Sequence, residues 1–162
     1  MVKRPSKDKY YLDLARAISK RATCLRRNFG AVIVRDDQII SCGYNGAPRG
    51  APNCIDIGTC KREELNVPSG EKYELCRSVH AEANSLINSA RAGVSVLGGT
   101  MYLYGENVKD GTPLKDNLPC QMCRRMIINA GIKRVVVPSE QGIREYSPES
   151  WVDGGEVSTE GY

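Results

Sequence analysis

The chain has 162 residues, of which 41% are apolar and 26% charged, the composition of one ordinary globular domain. It contains no run of about 18 apolar residues, which excludes a membrane-spanning helix. Residues 1–9 are charged and do not resemble a secretory signal. Seven cysteines without such a signal therefore favour thiols or metal ligands in a reducing cytoplasm over disulfides. The net charge of +4 is modest, but nine lysines and arginines cluster within the first 27 residues. This cluster suits a phosphate-bearing ligand and is equally typical of a solvated helix face.

The first half of the chain begins with a predicted helix and hairpin. Apolar residues recur at helical spacing over residues 8–22. Two short apolar runs, 31–34 and 39–41, flank Asp36 and Asp37 and predict a β-hairpin. A glycine-rich loop follows.

The second half alternates helices and strands. A helix is predicted to start near Ser78, a good N-cap residue, and to precede a strand at 100–104. The next helix has Pro119 in its first turn and Gly131 at its C-terminal cap, and a strand follows at 134–137. This order predicts a layered sheet with helices on its faces.

Three segments do not fit this pattern. Residues 51–77 are polar, contain three cysteines and show no clean period, so this long loop is predicted to be functional or cross-linked. Residues 106–118 form a second polar excursion. From Pro138 onward the pattern is weak and predicts a loosely held tail.

Two motifs carry the chemistry: His80-x-Glu82 and, downstream, Pro119-Cys120-x-x-Cys123. Together they match the signature of zinc-dependent nucleobase deaminases. Cys120 and Cys123 lie one turn apart at a predicted helix start, where the positive helix end favours thiolates. Three ligands of mixed nitrogen and sulfur type leave one tetrahedral position open, as catalytic zinc requires. We therefore predict that His80, Cys120 and Cys123 hold a catalytic zinc ion.

Glu82 is the predicted proton carrier. It lies two residues after the ligand His80, so its carboxylate is placed to take a proton from water and to return it to the ring nitrogen and the leaving amine. A lone C-x-x-C is also typical of redox pairs, and a lone histidine is usually a plain polar residue. Here the only histidine of the chain, the glutamate at its offset and the Pro-Cys-x-x-Cys motif occur together.

With these motifs the chain resembles the cytidine and deoxycytidylate deaminase family, most closely its deoxycytidylate (dCMP) branch. The likeness extends to residues 30–34 (GAVIV), 43–46 (GYNG) and 128–132 (INAGI). It implies an α/β fold of three α-β-α layers, with a central mixed sheet of about five strands. A single domain is expected over 1–162, with its core at about 8–137.

The resemblance also implies a reaction. Zinc-activated water attacks C4 of cytosine, Glu82 moves the protons, ammonia leaves, and dCMP becomes dUMP. Asn45 is implied to contact the sugar or base, and Ala81 to offer a backbone contact to the base. Arg26 and Arg27, just before the first strand, are candidates for the 5′-phosphate, although a solvated basic turn explains them as well.

The expected partners follow from the same resemblance. The family is often oligomeric, so a homo-oligomer, dimer or hexamer, is expected, and dCTP or dTTP is an expected effector at the GYNG region. No membrane partner is expected. A nucleic-acid partner is disfavoured because the chain has few aromatic platforms and only a mild charge.

Four further cysteines suggest a second, structural zinc ion. Cys24, Cys54, Cys60 and Cys76 lie in or beside loops, and a closed four-thiolate site would pin the long loop 51–77. The resemblance places second-zinc ligands at Cys24 and Cys54, whereas Cys60 and Cys76 are inferred from the sequence alone. Buried, reduced cysteines are the alternative. Cys42 is expected in the core.

Two departures leave the substrate open. Leu118 stands before Pro119, where the family commonly has a small hydroxyl residue, and the excursion 106–118 is long and borders the metal. A deaminase of another nucleotide or of a base in a polynucleotide such as tRNA is one alternative. A non-catalytic, competence-type zinc-binding accessory protein is another, which an intact Glu82 argues against. For Tyr146 and Trp151 the sequence allows two roles, capping the pocket or packing a subunit contact.

Overall fold

The computed structural model describes residues 1–154, and its centre is a five-stranded mixed sheet. The strands are β1 (Arg27–Arg35), β2 (Gln38–Tyr44), β3 (Thr100–Asn107), β4 (Arg134–Ser139) and β5 (Gly142–Tyr146). Their order across the sheet is β2-β1-β3-β4-β5. β3 and β4 run parallel, and each other neighbouring pair is antiparallel.

Helices cover both faces of the sheet. One face packs against α1 (Lys7–Ser19), and the other packs against α4 (Ala81–Arg91), α5 (Gln121–Asn129) and α6 (Pro148–Asp153). Two short helices, α2 (Cys54–Ile57) and α3 (Lys61–Glu64), interrupt the long loop before α4. The predicted three-layer fold with a mixed sheet of about five strands is confirmed. In the described part of the chain, every helix is too short or too polar to cross a bilayer.

Neighbouring residues of the central strands point into two different cores, as the pleat of a β-strand requires. The core on the α4–α5 side contains Ile33, Met101, Leu103, Val135 and Val137. The core on the α1 side contains Val32, Val34, Tyr102, Tyr104 and Val136. Because both faces are buried, these strands are nearly continuous apolar runs.

Turn and glycine chemistry fixes the first hairpin and the helices beside it. Asp36 and Asp37 both have positive φ, 51° and 59°, as a two-residue hairpin turn requires. A Cβ atom on Gly43 would lie 2.5 Å from the backbone nitrogen of Ser85, so this glycine lets α4 approach β2 closely. Gly30 does the same for α1, since its Cβ would lie 2.1 Å from the carbonyl oxygen of Ala15.

Three predicted boundaries are wrong by a few residues. The first helix ends at Ser19, not at residue 22. The helix expected from Ser78 begins at Ala81 with His80 as its N-cap, and Pro119 precedes the N-cap Cys120 of α5 instead of lying in its first turn. Both metal-motif helices thus start later than capping propensity predicts.

The two segments beyond β3 and β4 are more ordered than predicted. β3 continues to Asn107, so the polar excursion begins after it, and Leu114 donates its N–H back to the carbonyl oxygen of Gly105 at 2.8 Å. The predicted loose tail contains β5 and α6, where Trp151 is 1% exposed in the α4–α5 core. Trp151 is therefore a core residue. Residues 155–162 of the predicted tail lie outside the described residues.

Candidate active site

The predicted metal ligands lie where two helices begin. His80 is the N-cap of α4 and Cys120 the N-cap of α5, and both have extended backbones, with φ/ψ of −69°/155° and −65°/165°. Neither side chain caps its own helix, so both remain available to other partners. Cys123 follows in the first turn of α5.

The three side chains meet at distances that fit a zinc ion. The Nδ1 atom of His80 lies 3.4 Å from the Sγ atom of Cys120 and 3.5 Å from that of Cys123. A tetrahedral ion with ordinary Zn–N and Zn–S bonds separates nitrogen and sulfur ligands by about 3.5 Å. Within residues 1–154, this is the one group of three or more His, Cys, Asp or Glu side chains that gathers closely enough for a metal. The donor set therefore fits zinc without rearrangement.

Hydrogen bonding within this group favours a thiolate. The pKa of Cys120 is lowered to about 4, first by its hydrogen bond with Cys123 and then, against burial, by His80. Burial acts to lower the pKa of His80, but hydrogen bonds to Cys120 and Cys76 outweigh it and raise this pKa to about 11. The hydrogen bond with Cys120, together with burial, raises the pKa of Cys123. A divalent cation can replace the protons of such a group.

Glu82 is a buried carboxyl group beside the ligands. It is the second residue of α4, is 5% exposed and lines the same cavity as His80. Burial raises its pKa, and the positive charge of His80 opposes that shift. A carboxyl group with a raised pKa can hold and release a proton near neutral pH.

A cavity of about 350 Å³ opens beside these groups. This volume lies within the range of roughly 300–1,000 Å³ that small-molecule sites occupy. Its walls include all four residues predicted to contact the substrate: Arg26, Arg27, Asn45 and Ala81. These four residues line the same cavity as His80, Glu82 and Cys120.

Asn45 joins the cavity wall to the sheet. It is 6% exposed; its Oδ1 accepts the N–H of Phe29 at 2.7 Å, and its Nδ2 donates to the carbonyl oxygen of Arg27 at 2.9 Å. Because an amide nitrogen carries two hydrogens, one donor remains beyond this pair of bonds. Asn45 therefore holds the start of β1 in place at the cavity wall.

Arg26 and Arg27 differ in their surroundings. The Nε of Arg26 forms an ion pair with Glu63 at 3.2 Å, so its charge is partly neutralised. Arg27 forms no ion pair among residues 1–154 and donates no hydrogen bond from its side chain there. Both arginines line the cavity, and their contact with a 5′-phosphate stays a prediction.

Three residues of the site were not identified from the sequence. The ring of Tyr73 packs edge-on against His80, with 5.2 Å between the ring centroids. The guanidinium of Arg62 lies over the same Tyr73 ring. Both lie in the aperiodic segment 51–77, which offers no pattern that could reveal them. Arg124, which lines the cavity from α5, does have a signal because it follows Cys120 by one helical turn.

The four remaining loop cysteines are only partly brought together. Burial, and after it the charges of Cys24 and Cys76, raise the pKa of Cys54, so these three thiols are neighbours. Cys60 is 7% exposed and lines the cavity, but it does not belong to that group. No three of the four approach one another as closely as the His80 group does. A second zinc site is therefore not shown.

The comparisons with known proteins agree with this geometry. The sequence profile of the "Cytidine and deoxycytidylate deaminase zinc-binding region" matches residues 5–139. A deoxycytidylate deaminase of Mycobacterium phage D29 is 38% identical over 142 residues, covering 85% of this chain and 98% of the relative.

A larger relative and a solved structure extend this similarity. A deoxycytidylate deaminase of Schizosaccharomyces pombe is 38% identical over 133 residues, covering 82% of this chain, and the chain spans only 37% of that relative's length. The crystal structure of the dCMP deaminase from cyanophage S-TIM5 in complex with dCMP and dUMP superposes with a TM-score of 0.59 at 25% identity. That match covers 84% of this chain and 83% of the other.

Proposed function

The chain belongs to the cytidine and deoxycytidylate deaminase family, and on this premise we propose that it is a zinc-dependent hydrolase that converts dCMP to dUMP and ammonia. The observation that carries the proposal is the His80–Cys120–Cys123 group with the buried carboxyl group of Glu82 at the wall of one cavity. The phage D29 relative supports the choice of substrate, because it shares almost its whole length with this chain. So does the cyanophage structure that contains dCMP and dUMP.

In the proposed mechanism, His80, Cys120 and Cys123 hold the zinc ion. When bound, zinc in such a site makes water acidic enough to serve as a nucleophile at neutral pH. Glu82 accepts a proton from the attacking water and delivers protons to N3 of the cytosine ring and then to the leaving amine. Its burial suits this role because burial raises the pKa of Glu82 and so favours the protonated form that returns a proton to the substrate.

The proposed substrate contacts come from the same walls. Ala81 is the first residue of α4, and N–H groups in a first helical turn have no partner inside the helix, so its N–H is available to a carbonyl oxygen of the base. Asn45 has one amide hydrogen left for the sugar or base. Arg26 and Arg27 supply positive charge for the 5′-phosphate, with Arg27 the less neutralised of the two.

We also propose a second, structural zinc ion held by thiols of the long loop. Cys24 and Cys76 lie close enough to Cys54 to raise its pKa, which supports this idea. Cys60, which lies apart from these three, is proposed as the fourth thiol from the sequence alone. A metal there would hold together a segment that has little apolar core of its own. All seven cysteines are free thiols, which suits metal binding in a reducing compartment, and we place the reaction in the cytoplasm.

Regulation and assembly are further parts of the proposal. The family resemblance supports a homo-oligomer, dimer or hexamer, and dCTP or dTTP as effectors at the loop that contains Asn45. Light scattering during size-exclusion chromatography measures the assembly. Rates with and without added dCTP or dTTP measure the regulation. A monomer whose rate ignores both nucleotides contradicts this part and leaves the catalytic proposal intact.

A direct assay tests the proposed reaction. Purified zinc-loaded protein is incubated with dCMP, CMP, cytidine or dAMP, and loss of the amine is followed by ultraviolet absorbance. Release of ammonia in step with dUMP from dCMP, faster than from the other three, is the expected result. Faster turnover of another nucleotide would change the proposed substrate but would leave the proposed deamination reaction in place. No turnover of any compound by protein with bound zinc contradicts the enzyme and favours the accessory-protein alternative.

A further inference from the structure

The cavity carries more positive than negative charge. Its walls contain four arginines and a single carboxylate, that of Glu82. A zinc ion and two thiolates balance each other formally and do not change this excess. The cavity is therefore suited to an anionic ligand, and the question is which arginine meets the anion.

Two of the four arginines already have partners that explain their position. Arg26 forms the ion pair with Glu63 at the rim. Arg124 donates its Nε hydrogen to the carbonyl oxygen of Pro119 at 2.8 Å, and its Cζ lies 5.8 Å from the centre of the Trp151 ring. These contacts fix local structure around the rim and the metal-bearing turn.

Arg27 also forms no ion pair within residues 1–154, but it is only half-buried and remains in contact with solvent. Arg62 is different because it is a buried cation without a counter-ion. It is only 6% exposed, and no carboxylate among residues 1–154 forms an ion pair with it. Its Nη2 donates to the carbonyl oxygens of Pro68 and Glu71 at 2.8 and 2.7 Å. Its Nε is buried and has no hydrogen-bond partner in the same part of the chain. Buried charges are normally paired, and a buried polar atom left unpaired is costly.

The position of Arg62 relative to the metal group suits a nucleotide. Its Cζ lies 4.3 Å from the centre of the Tyr73 ring, and Tyr73 in turn contacts His80 edge-on. One aromatic ring therefore separates the guanidinium from the imidazole along the cavity wall. If the base of a ligand reaches His80, its sugar and phosphate can extend over the Tyr73 ring towards Arg62.

We propose that Arg62 binds the phosphate group of the substrate directly, whereas Arg26 and Arg27 add positive charge to the same cavity, and that Arg62 so selects the nucleotide over the nucleoside. This inference rests on the proposed deamination of dCMP and deepens it. Because the loop carbonyls take the Nη2 hydrogens, Nη1 is the group that offers charge-assisted hydrogen bonds to phosphate oxygens. A lysine ammonium is not held by the same carbonyl contacts and cannot reproduce this placement. The two carbonyl contacts of Nη2 hold the guanidinium in place before the ligand arrives.

The test compares dCMP with deoxycytidine in matched variants. R62Q removes the charge, and R62K keeps it without the planar fork. Arg77 offers a control, because it lies in the same segment, donates to the carbonyl oxygen of Thr59 at 2.7 Å and does not line the cavity. For R62Q we expect kcat/KM for dCMP to fall at least about 100-fold, mainly through KM, while deoxycytidine changes less than about threefold. R62K falls between R62Q and wild type, and R77Q keeps the wild-type ratio of the two substrates.

Binding measurements keep the test decisive where turnover is low. Calorimetric titration with dUMP and deoxyuridine gives the same comparison, and inorganic phosphate is expected to compete with dUMP in wild type but not in R62Q. Equal losses for nucleotide and nucleoside, with zinc retained, overturn the proposal and reduce Arg62 to a clamp on the loop carbonyls. If R62Q does not fold, the R62K ratio decides, and an unchanged ratio there is equally negative. If the wild-type protein deaminates neither compound, the proposed function is refuted instead. The ratio of the dUMP and deoxyuridine affinities then still tests the role of Arg62.

Discussion

The Nε hydrogen of Arg124 is donated to the carbonyl oxygen of Pro119, and this bond ties the first turn of α5 to the residue that precedes Cys120. The same guanidinium lies 5.8 Å above the ring of Trp151 in α6. The C-terminal helix thus supports the turn that presents both cysteine ligands. From the sequence, Trp151 was expected either to cap the pocket or to pack a subunit contact, and its place in the core next to Arg124 was not predicted.

This connection predicts that W151A weakens both the fold and the metal site. Trp151 is 1% exposed, and replacing a buried tryptophan by alanine costs about 3–5 kcal/mol of unfolding free energy. Urea unfolding measures this loss, and competition with a chelator measures zinc retention, which we expect to fall as well. V152A alters a neighbour that is 57% exposed and is expected to change neither quantity appreciably. A W151A protein as stable as V152A contradicts the argument.

The proton-carrier role predicts that E82Q keeps zinc but loses turnover. Glutamine has nearly the shape of glutamate but cannot accept and return a proton, so kcat is expected to drop about 1,000-fold or more. Zinc content by metal analysis and kcat with dCMP are the two measurements. E140Q, on a surface carboxylate paired with Lys115, serves as the control. Turnover within tenfold of wild type in E82Q removes Glu82 from the mechanism.

The cysteine groups predict two kinds of zinc loss. Wild-type protein is expected to carry about two zinc ions per chain. C123S should lose one ion together with activity, whereas C54S should lose the other and destabilise the loop 51–77. C42S is a control because Cys42 packs beside the α1-side core. A single zinc ion that persists in C54S and in C60S rules out the structural ion.

Close packing at Gly43 predicts that G43A disturbs the start of α4. The added Cβ would lie 2.5 Å from the nitrogen of Ser85 and 2.9 Å from the carbonyl oxygen of Ala81, so the helix must move away from β2. Overpacking of this kind lowers the unfolding free energy by about 1–3 kcal/mol. Zinc affinity should also fall, because His80 occupies the N-cap position at the displaced end of α4. Gly93 has a φ of 69° and open space around its Cβ position. G93A should therefore destabilise by about 1–2 kcal/mol through backbone strain alone and leave zinc affinity unchanged.

The surroundings of Asp8 predict part of the acid sensitivity of the fold. Burial acts to raise the pKa of Asp8, but hydrogen bonds from Tyr102 and Arg134, at 2.8 and 3.1 Å, hold it below the ordinary value of 3.8. A carboxylate with a depressed folded pKa stabilises the protein above the unfolded pKa and loses this contribution as pH falls through the folded value.

D8N should therefore be less stable than wild type at pH 7, and the difference should shrink as the pH drops below about 4. Urea midpoints measured from pH 7 down to pH 3 give this difference directly, because metal loss at low pH affects both proteins alike. D13N removes an exposed carboxylate that pairs with Lys9 on the surface of the same helix and serves as the matched control. A D8N–wild-type difference that stays constant over this range contradicts the assignment.

Much of the metal site was predictable because its signals are local. A histidine two residues before a glutamate, and two cysteines one turn apart, specify ligand positions at helix starts without any knowledge of the fold. The central strands were predictable for the same reason, since residues 31–34 and 135–137 are continuous apolar runs. Capping propensity failed at Ser78 because His80 takes the N-cap position of α4 without making a capping bond.

The remaining features depend on contacts that no local pattern records. β5 exposes most of its residues and shows no alternation, so its pairing with β4 cannot be read from its sequence. Trp151 is a single buried anchor in a six-residue helix. Arg62 and Tyr73 belong to an aperiodic loop, and only the folded chain brings them beside His80.

The strand order gives the metal group a mechanical role. His80 and Cys120 are 40 residues apart, and the segment between them includes β3, which lies between β1 and β4 at the middle of the sheet. An ion held at both ends cross-links that segment around its own central strand. Zinc binding would then stabilise this closure, so the stability of the segment that contains β3 should depend on the metal.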